Sequence, residues 1–289
     1  MKKTIYRWPR LGPVLLIILI ALIVAFAGRY LSVYQNIQAG GLAVTLSFVV
    51  IVLALFSSII SYYEYHGFGK QDGITRRVNE GPYVSLTFDD GPGAAYTPKI
   101  LDILKKYNVK ATFFVVGKHV KKYPEIARQI AAEGHDVGNH TYSHKDLVPA
   151  TKATVIKEIT KTEQALLEVL GMRTDLFRPP RGIFNQTSRK LIVERGYRII
   201  LWSVSSCDWR LNNANMILRR IKRFTKNGSI ILFHDSGALI RREGGKRAGT
   251  VKSLPLIIEH LHESGFKIIP VSELIALNEN EPEAEPVEI

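Results

Sequence analysis

The amino-acid sequence predicts an α/β fold in which about seven strand–helix units close a parallel sheet into a barrel. Short apolar runs alternate with segments of helical periodicity from Tyr83 onward. One run, Ser229 to Phe233, is apolar enough to be buried on both faces, as strands of parallel sheets are. An open, doubly wound sheet is the alternative that the same alternation allows. Two long uncharged apolar runs precede these units and predict two hydrophobic membrane helices.

The two apolar runs, residues 11–27 and 42–60, each approach the roughly 20 residues needed to cross a bilayer. Basic residues precede the first run and tyrosines follow the second, as is common at membrane interfaces. We therefore predict a membrane anchor over residues 1–65. The small-residue motif Ala25-Phe26-Ala27 also allows cleavage after a signal peptide, in which case the second run would still anchor the chain.

The basic residues allow two orientations of the C-terminal domain. Those at the N-terminus favour a cytoplasmic start, and two full crossings would then return the domain to the cytoplasm. A domain outside requires that only one run spans or that the charge rule fails. The formal net charge of +13 suits a surface near anionic lipid or an acidic cell-wall polymer. Aromatic residues do not interleave with the basic ones, so nucleic acid is not expected as a partner.

Local signals place the elements along the chain. Residues 66–81 are polar and contain glycine, which predicts a linker, and Thr97 with Pro98 marks the first helix start after it. The predicted strands are 84–88, 111–116, 135–138, 176–178, 198–204, 229–233 and 267–269. The predicted helices are 97–107, 124–133, 151–170, 187–195, 215–226, 251–264 and a turn after Ser272. The glutamate-rich residues 278–289 are predicted to form a disordered tail.

Two adjacent carboxylates, Asp89 and Asp90, end the first predicted strand and are followed by Gly91 and Pro92. Neighbouring residues of a strand point to opposite sides, so the two acids need a sharp bend to act together. Glycine and proline permit that bend. We therefore expect two environments and two roles for the pair, although a plain turn that closes a strand is the structural alternative.

The unusual polar residues fall at one end of the predicted strands. In a parallel barrel the carboxyl ends of the strands meet at a single mouth, where active sites are built. Residues with purely structural roles would have no reason to collect at one rim. This placement therefore predicts a catalytic site. The residues are Asp89, Asp90, His140, His144, Arg178, Asp208, Trp209, His234 and Asp235.

His140 and His144 are spaced i and i+4, which predicts that both lie on one face of a single helical turn. That geometry, completed by one carboxylate from the first strand, suits a divalent metal with positions left for water and substrate. Non-haem iron chemistry is an alternative for such a ligand set. The other histidines are predicted to have structural roles: His66, His119, His135, His260 and His262.

Two further motifs supply candidate groups at the same rim. Arg178 lies in a rigid turn with two prolines, which fixes an arginine at a strand end. His234 ends a buried strand next to the strand that precedes Asp208, an arrangement that orients an imidazolium as a general acid. The single cysteine, Cys207, lies beside Asp208 and is interpreted as a packing residue.

These motifs resemble the polysaccharide deacetylase family, the NodB-homology domain of carbohydrate esterase family 4, from about residue 83 to 277. All five motifs of that family occur in its order. They are residues 87–92, 140–144, 178–182, 208–209 and 232–234. The fourth departs from the fuller family form, because Ser205 stands where an earlier aspartate is usual.

The resemblance implies a membrane-anchored member whose deformed (β/α) barrel spans residues 82–277. It implies that Asp90, His140 and His144 bind a divalent metal, for which zinc is favoured over cobalt, nickel, manganese or iron. Asp89 would be the general base held by Arg178, and His234, oriented by Asp208, would protonate the departing amine. The implied substrate contacts are the backbone of Arg181 for the oxyanion, with Trp209 and Leu232 around the acetyl methyl.

The implied activity is hydrolysis of N-acetyl groups on an N-acetylated polysaccharide, with release of acetate. Peptidoglycan, chitin-like oligomers and exopolysaccharides all present the same acetamide, and the sequence indicates neither the polymer nor an oligomeric state. The resemblance implies that the domain lies outside the cell membrane, with the glycan and the bilayer as partners. A membrane-tethered glycan-binding module without catalysis is the alternative function.

Overall fold

The computed structural model describes residues 26, 30, 48–58, 73–78, 81–237 and 247–279. The chain divides into two compact units, Met1–His66 and Gly67–Ile289. In the first unit residues 48–58 are helical, and most of the predicted anchor lies outside the described residues. Within the part of the chain that the structure describes, none of the helices is both long enough and apolar enough to span a bilayer.

The second unit is a parallel sheet with helices between its strands. The strands are β1 (Ile74–Thr75), β2 (Tyr83–Asp89), β3 (Thr112–Val115), β4 (Asp136–Asn139), β5 (Leu176–Phe177), β6 (Arg198–Ile200), β7 (Val204–Ser205), β8 (Ser229–His234) and β9 (Lys267–Ile268). The helices are α1 (Thr97–Lys106), α2 (Gly117–Lys122), α3 (Pro124–Ala132), α4 (Lys152–Leu170), α5 (Gln186–Val193), α6 (Ala214–Phe224), α7 (Ala248–Glu263) and α8 (Val271–Glu279).

The order of the strands is that of a deformed barrel. Strands β2 to β6 pair with their sequence neighbours, β7 pairs with β8, and β8 returns to β2. The path ends at β1 beside β6 and at β7 beside β8, so the curled sheet is an open half-barrel. A doubly wound sheet would instead reverse its order at a switch point. The prediction of a curled parallel α/β fold is therefore confirmed, and the doubly wound alternative is wrong.

Four elements of the structure differ from the sequence predictions. The predicted strand 198–204 is broken into β6 and β7, which pair with different neighbours. The predicted linker contributes β1, which pairs with β6. Helix α2 was not predicted, and the predicted turn after Ser272 is the nine-residue α8. The predicted tail lies outside the described residues from position 280 onward.

Strand β2 lies at the centre of the sheet, and its alternation decides what faces the barrel interior. Its apolar side chains belong to the core beneath the helices, where Phe88 stacks on Phe113 and Phe233 at 5.1 and 5.6 Å between ring centroids. Ser85 and Thr87 lie on the other face, where their hydroxyls donate to backbone carbonyls. Asp89 is two residues beyond Thr87, so the strand period delivers its carboxylate to the interior.

Candidate active site

Strand register brings the polar residues to one mouth. Asp89 is level with Phe114 on β3 and with His234 on β8, and Asn139 on β4 is level with Phe177 on β5. His140 directly follows β4, and Arg178 directly follows β5. The predicted convergence at the carboxyl ends is therefore what the structure shows, as expected for a parallel barrel.

The two adjacent carboxylates turn toward each other because Asp90 has a left-handed backbone, with φ of 80°. Asp89 Oδ2 lies 3.7 Å and Asp90 Oδ1 lies 3.6 Å from the same atom, Nε2 of His140. The following glycine is needed for space, because a Cβ on Gly91 would lie 2.0 Å from an oxygen of Asp235. The predicted bend is confirmed, and it occurs at Asp90 itself.

Arg178 is fully buried and fills the break between β6 and β7. Its Nε and Nη2 donate to the carbonyls of Ile200 and Leu201, at 3.0 and 3.1 Å. Its Nη1 donates to Asp89 Oδ1 at 2.7 Å and to the hydroxyl of Thr87 at 2.8 Å. The guanidinium thus satisfies carbonyls at the interrupted strand and binds one of the two carboxylates.

His140 and His144 meet near Asp90, but not on a helical turn as predicted. Both lie in the loop after β4, and their ring centroids are 5.0 Å apart. Left-handed conformations at Thr141 and His144, with φ of 66° and 53°, fold this loop back on itself. The i, i+4 spacing therefore indicated two histidines that do lie together, but the predicted helical turn is wrong. The same spacing also fits a tight loop.

Asp90, His140 and His144 form a set that fits a divalent metal. Their ligand atoms all lie within 4.8 Å of one another, with 3.2 Å between His144 Nε2 and Asp90 Oδ1. Asp90 Oδ1 is buried and has no hydrogen-bond partner among the described residues. The backbone carbonyl of Arg178 lies 2.7 Å from His140 Nδ1, which must therefore be the donor in this contact and leaves Nε2 directed toward Asp90.

The protonation states of the set also suit a metal. Burial lowers the pKa of His144 to about 4, with a further contribution from His140, so this imidazole is neutral at physiological pH. Burial alone would raise the pKa of Asp90, but the neighbouring histidines, His140 first, bring that pKa well below its usual range. Metal ligands must be deprotonated, and these two groups already are.

His234 and Asp208 form the second charged pair of the site. Asp208 Oδ1 lies 2.7 Å from His234 Nδ1, and its other oxygen accepts from the backbone N–H of His234 at 2.8 Å. The hydroxyl of Thr250 also donates to Asp208, at 2.8 Å. Burial lowers the pKa of His234, but the Asp208 carboxylate outweighs it and raises that pKa to about 9. His234 is therefore a protonated imidazolium at neutral pH.

The predicted substrate-contacting residues lie in different settings. Leu232 is buried on β8, two residues before His234. Trp209 is 55% exposed in the turn after β7. Arg181 has a left-handed backbone with φ of 58°, and its side chain pairs with Asp146 at 3.3 Å. Their predicted roles toward a substrate remain predictions.

Sequence reasoning missed the contacts that two residues, Thr250 and His119, make to the site. Thr250 reaches Asp208 from α7, 42 positions along the chain, so no local pattern signals it. Asp235, which the sequence does place at this rim, accepts a hydrogen bond from Thr97 at 2.6 Å, and burial nevertheless raises its pKa to about 7. His119, predicted to be structural, places Nδ1 2.7 Å from the carbonyl of Asp90.

Comparisons with known proteins show the family of this chain. A family model for polysaccharide deacetylases matches residues 76–200. A peptidoglycan-N-acetylglucosamine deacetylase of Bacillus cereus is 40% identical over 193 residues, which are 65% of this chain and 68% of that protein. The chain belongs to the polysaccharide deacetylase family. The predicted family membership is thereby confirmed, and the deacetylases of this family are metal-dependent.

Two solved structures show the same fold in this family. The Bc1960 peptidoglycan N-acetylglucosamine deacetylase is 36% identical, with a TM-score of 0.66 over 70% of this chain and 92% of that one. A CE4 family pseudoenzyme from Bacillus anthracis is 29% identical, with a TM-score of 0.64 over 70% of this chain and 68% of that one. The polysaccharide deacetylase fold therefore occurs both in an enzyme and in a pseudoenzyme.

The pH behaviour of His234 tests the Asp208 contact. In the metal-free chain, an NMR titration should give His234 a pKa of about 9. In Asp208→Asn the buried imidazole loses its anion, so its pKa should fall toward or below the ordinary value of about 6.5. A wild-type value near 6.5, or a value near 9 that survives Asp208→Asn, would contradict the assignment.

The buried Arg178–Asp89 pair should be costly to break from one side. Arg178→Met leaves the Asp89 carboxylate buried without its cation and should reduce the unfolding free energy by about 3–5 kcal/mol. The double variant Arg178→Met with Asp89→Leu removes that unpaired charge and should be more stable than Arg178→Met alone. Thermal unfolding of the full chain in detergent measures both. Equal stability of wild type and Arg178→Met would refute the assignment.

Proposed function

We propose that this chain is a metal-dependent N-deacetylase of peptidoglycan that hydrolyses the acetamide of N-acetylglucosamine to acetate and a free amine. Polysaccharide N-deacetylation is the activity of its named relatives. One observation carries the catalytic assignment to this chain. The buried Asp90 Oδ1 has no hydrogen-bond partner among the described residues and lies 3.6 and 3.2 Å from Nε2 of His140 and His144. Two further charged pairs, Arg178–Asp89 and Asp208–His234, flank it.

Asp90, His140 and His144 would hold the metal, and we propose zinc because the donors are two imidazoles and one carboxylate. Such an ion, when bound, supplies Lewis-acid polarisation and a lowered pKa for water. The carbonyl of Arg178 fixes the His140 ring, so the ligand nitrogen faces Asp90. This chain therefore contributes a preformed ligand set.

Asp89 is the proposed general base. Its Oδ1 accepts a hydrogen bond from Arg178 at 2.7 Å, which orients the carboxylate. Its Oδ2 lies toward His140, on the side of the proposed ligand set. Asp89 would take the proton that water loses as the new C–O bond forms at the acetamide carbon.

His234 is the proposed general acid. The Asp208 contact keeps it protonated at neutral pH, so it can donate Nε2–H to the amide nitrogen as the C–N bond breaks. The products are then acetate and the amine of the sugar. We assign the developing oxyanion to the backbone N–H of Arg181, and the acetyl methyl to a pocket between Leu232 and Trp209.

Peptidoglycan is proposed as the polymer because several relatives of this chain are named as peptidoglycan deacetylases. The Bacillus cereus relative is a peptidoglycan-N-acetylglucosamine deacetylase. A chitooligosaccharide deacetylase of Sinorhizobium fredii is 33% identical over 199 residues, so chito-oligomers are the second substrate to assay.

The chemistry of the site requires the acidic groups to act differently, and paired variants test this. Asp90→Asn should abolish zinc uptake and acetate release, because the charged ligand is lost. Asp89→Asn should retain zinc and lose about 10²–10⁴-fold in turnover, because only the base is lost. Zinc content and acetate release from peptidoglycan fragments measure the two effects on the same preparations.

Cys207→Ala is the matched control, since no nucleophilic thiol is used, and it should keep both zinc and turnover. Chelator should abolish acetate release from the wild type, and added zinc should restore it. A wild-type chain that binds peptidoglycan without releasing acetate would instead favour a glycan-binding role, as in a pseudoenzyme. Full zinc content in Asp90→Asn would refute the ligand assignment.

We further propose that residues 1–65 attach the enzyme to the cell membrane, with residues 66–81 as a connecting segment and the domain 82–277 outside. Residues 48–58 support attachment, because this helix exposes large apolar side chains such as Phe48, Leu53 and Phe56. The proposed substrate supports the outward orientation, since peptidoglycan lies outside the membrane.

Protease treatment of intact cells tests this orientation. Protease added outside should digest the domain without lysis, while a cytoplasmic marker stays intact. Protection of the domain until the cells are lysed would place it in the cytoplasm, as two full crossings from a basic N-terminus would require.

A further inference from the structure

The backbone of Asp90 is strained, and the surrounding contacts keep it in place. Asp90 has a left-handed conformation, which is unfavourable for a residue other than glycine and persists only where neighbours enforce it. In an extended conformation the Asp90 carboxylate would point away from Asp89. The proposed ligand set therefore depends on whatever holds this one peptide.

Hydrogen bonds hold the carbonyls of three successive residues in this turn. Asp89 O accepts from the backbone N–H of Asp235 at 3.1 Å, and Gly91 O accepts from the backbone N–H of Val116 at 2.9 Å. The carbonyl of Asp90, between them, lies 2.7 Å from Nδ1 of His119. The contacts to the carbonyls of Asp89 and Gly91 use backbone N–H donors, which do not depend on the side chain at position 235 or 116. The contact to the carbonyl of Asp90 uses a side-chain donor and therefore depends on which residue occupies position 119.

His119 is itself well placed to act as a fixed donor. It lies in α2, is 9% exposed, and donates its backbone N–H to Val116 O at 2.8 Å. A carbonyl oxygen only accepts, so His119 Nδ1 must carry the proton in this contact. The short helix thus anchors an N–H group directly against the strained residue.

We infer that His119 is a positioning residue for the metal ligand Asp90, because its Nδ1–H binds the Asp90 carbonyl in the left-handed conformation. It touches neither the substrate nor the ligand oxygen, and it acts through the backbone of Asp90. This inference rests on the proposed metal function of Asp90. Outer partners of metal ligands typically change metal affinity or activity by 10–100-fold when they are removed.

Two substitutions at position 119 separate the hydrogen bond from bulk packing. His119→Leu removes the donor and keeps an apolar side chain of comparable width. His119→Asn places an amide N–H at the same distance along the side chain as Nδ1 and can restore the bond. The matched control is His135→Leu. His135 is also buried and also bonds the backbone, accepting from Ala111 at 3.2 Å, but it precedes β4 at the far end of the sheet.

Zinc affinity, measured on the full chain by competition with a chromophoric chelator, is the primary measurement. We expect a loss of about 10–100-fold in His119→Leu, recovery of most of that loss in His119→Asn, and wild-type affinity in His135→Leu. The absorption spectrum of the cobalt-substituted chain should change in His119→Leu and return in His119→Asn. Turnover should follow the same order.

The outcomes distinguish this inference from the function on which it rests. A wild-type chain that binds no zinc overturns the proposed function. Wild-type zinc affinity in a folded His119→Leu overturns only the role of His119. Loss of affinity in both variants at position 119, or an equal loss in His135→Leu, shows a general packing effect and also overturns it.

Discussion

The buried ion pair between Arg178 and Asp89 is the contact on which the rest of the site depends. Taking both charges out of water costs several kcal/mol per ion, and a buried pair seldom stabilises more than a well-packed apolar pair would. This pair is therefore poorly explained by stability alone. Its arginine also donates to two backbone carbonyls where β6 and β7 separate. One side chain therefore both satisfies the interrupted strand and binds one of the two adjacent acids.

The pairing of Asp89 gives its neighbour a different chemistry. With Asp89 bound to a guanidinium, Asp90 has no cation of its own and lies against two imidazoles. Two imidazoles of the site also differ. The Asp208 carboxylate raises the pKa of His234 to about 9, whereas burial lowers the pKa of His144 to about 4. The two imidazoles thus differ in protonation and the two adjacent carboxylates differ in their partners, which suits the separate roles of base, acid and metal ligand in amide hydrolysis.

Much of this arrangement follows from the sequence because strand ends are local signals. The period of β2 places Asp89 inside, and the parallel register then brings His140, Arg178 and His234 to the same level. The backbone conformations of Asp90, Thr141 and His144 do not follow, because left-handed residues are set by contacts from distant segments. The break between β6 and β7 does not follow from the sequence either, because residues 198–204 form one apolar run that predicts a single strand. Thr250 and His119 carry no pattern at all, and only the fold shows what they touch.

The central claim is that the two adjacent acids divide their work, with one as metal ligand and the other as base. Anomalous diffraction at the zinc absorption edge, from crystals of the full chain grown with zinc, tests it most directly. The account predicts one anomalous peak within bonding distance of Asp90 Oδ1 and of Nε2 of His140 and His144, with Asp89 still bound to Arg178. A peak coordinated by Asp89 in place of Asp90, or one away from the two histidines, would contradict it.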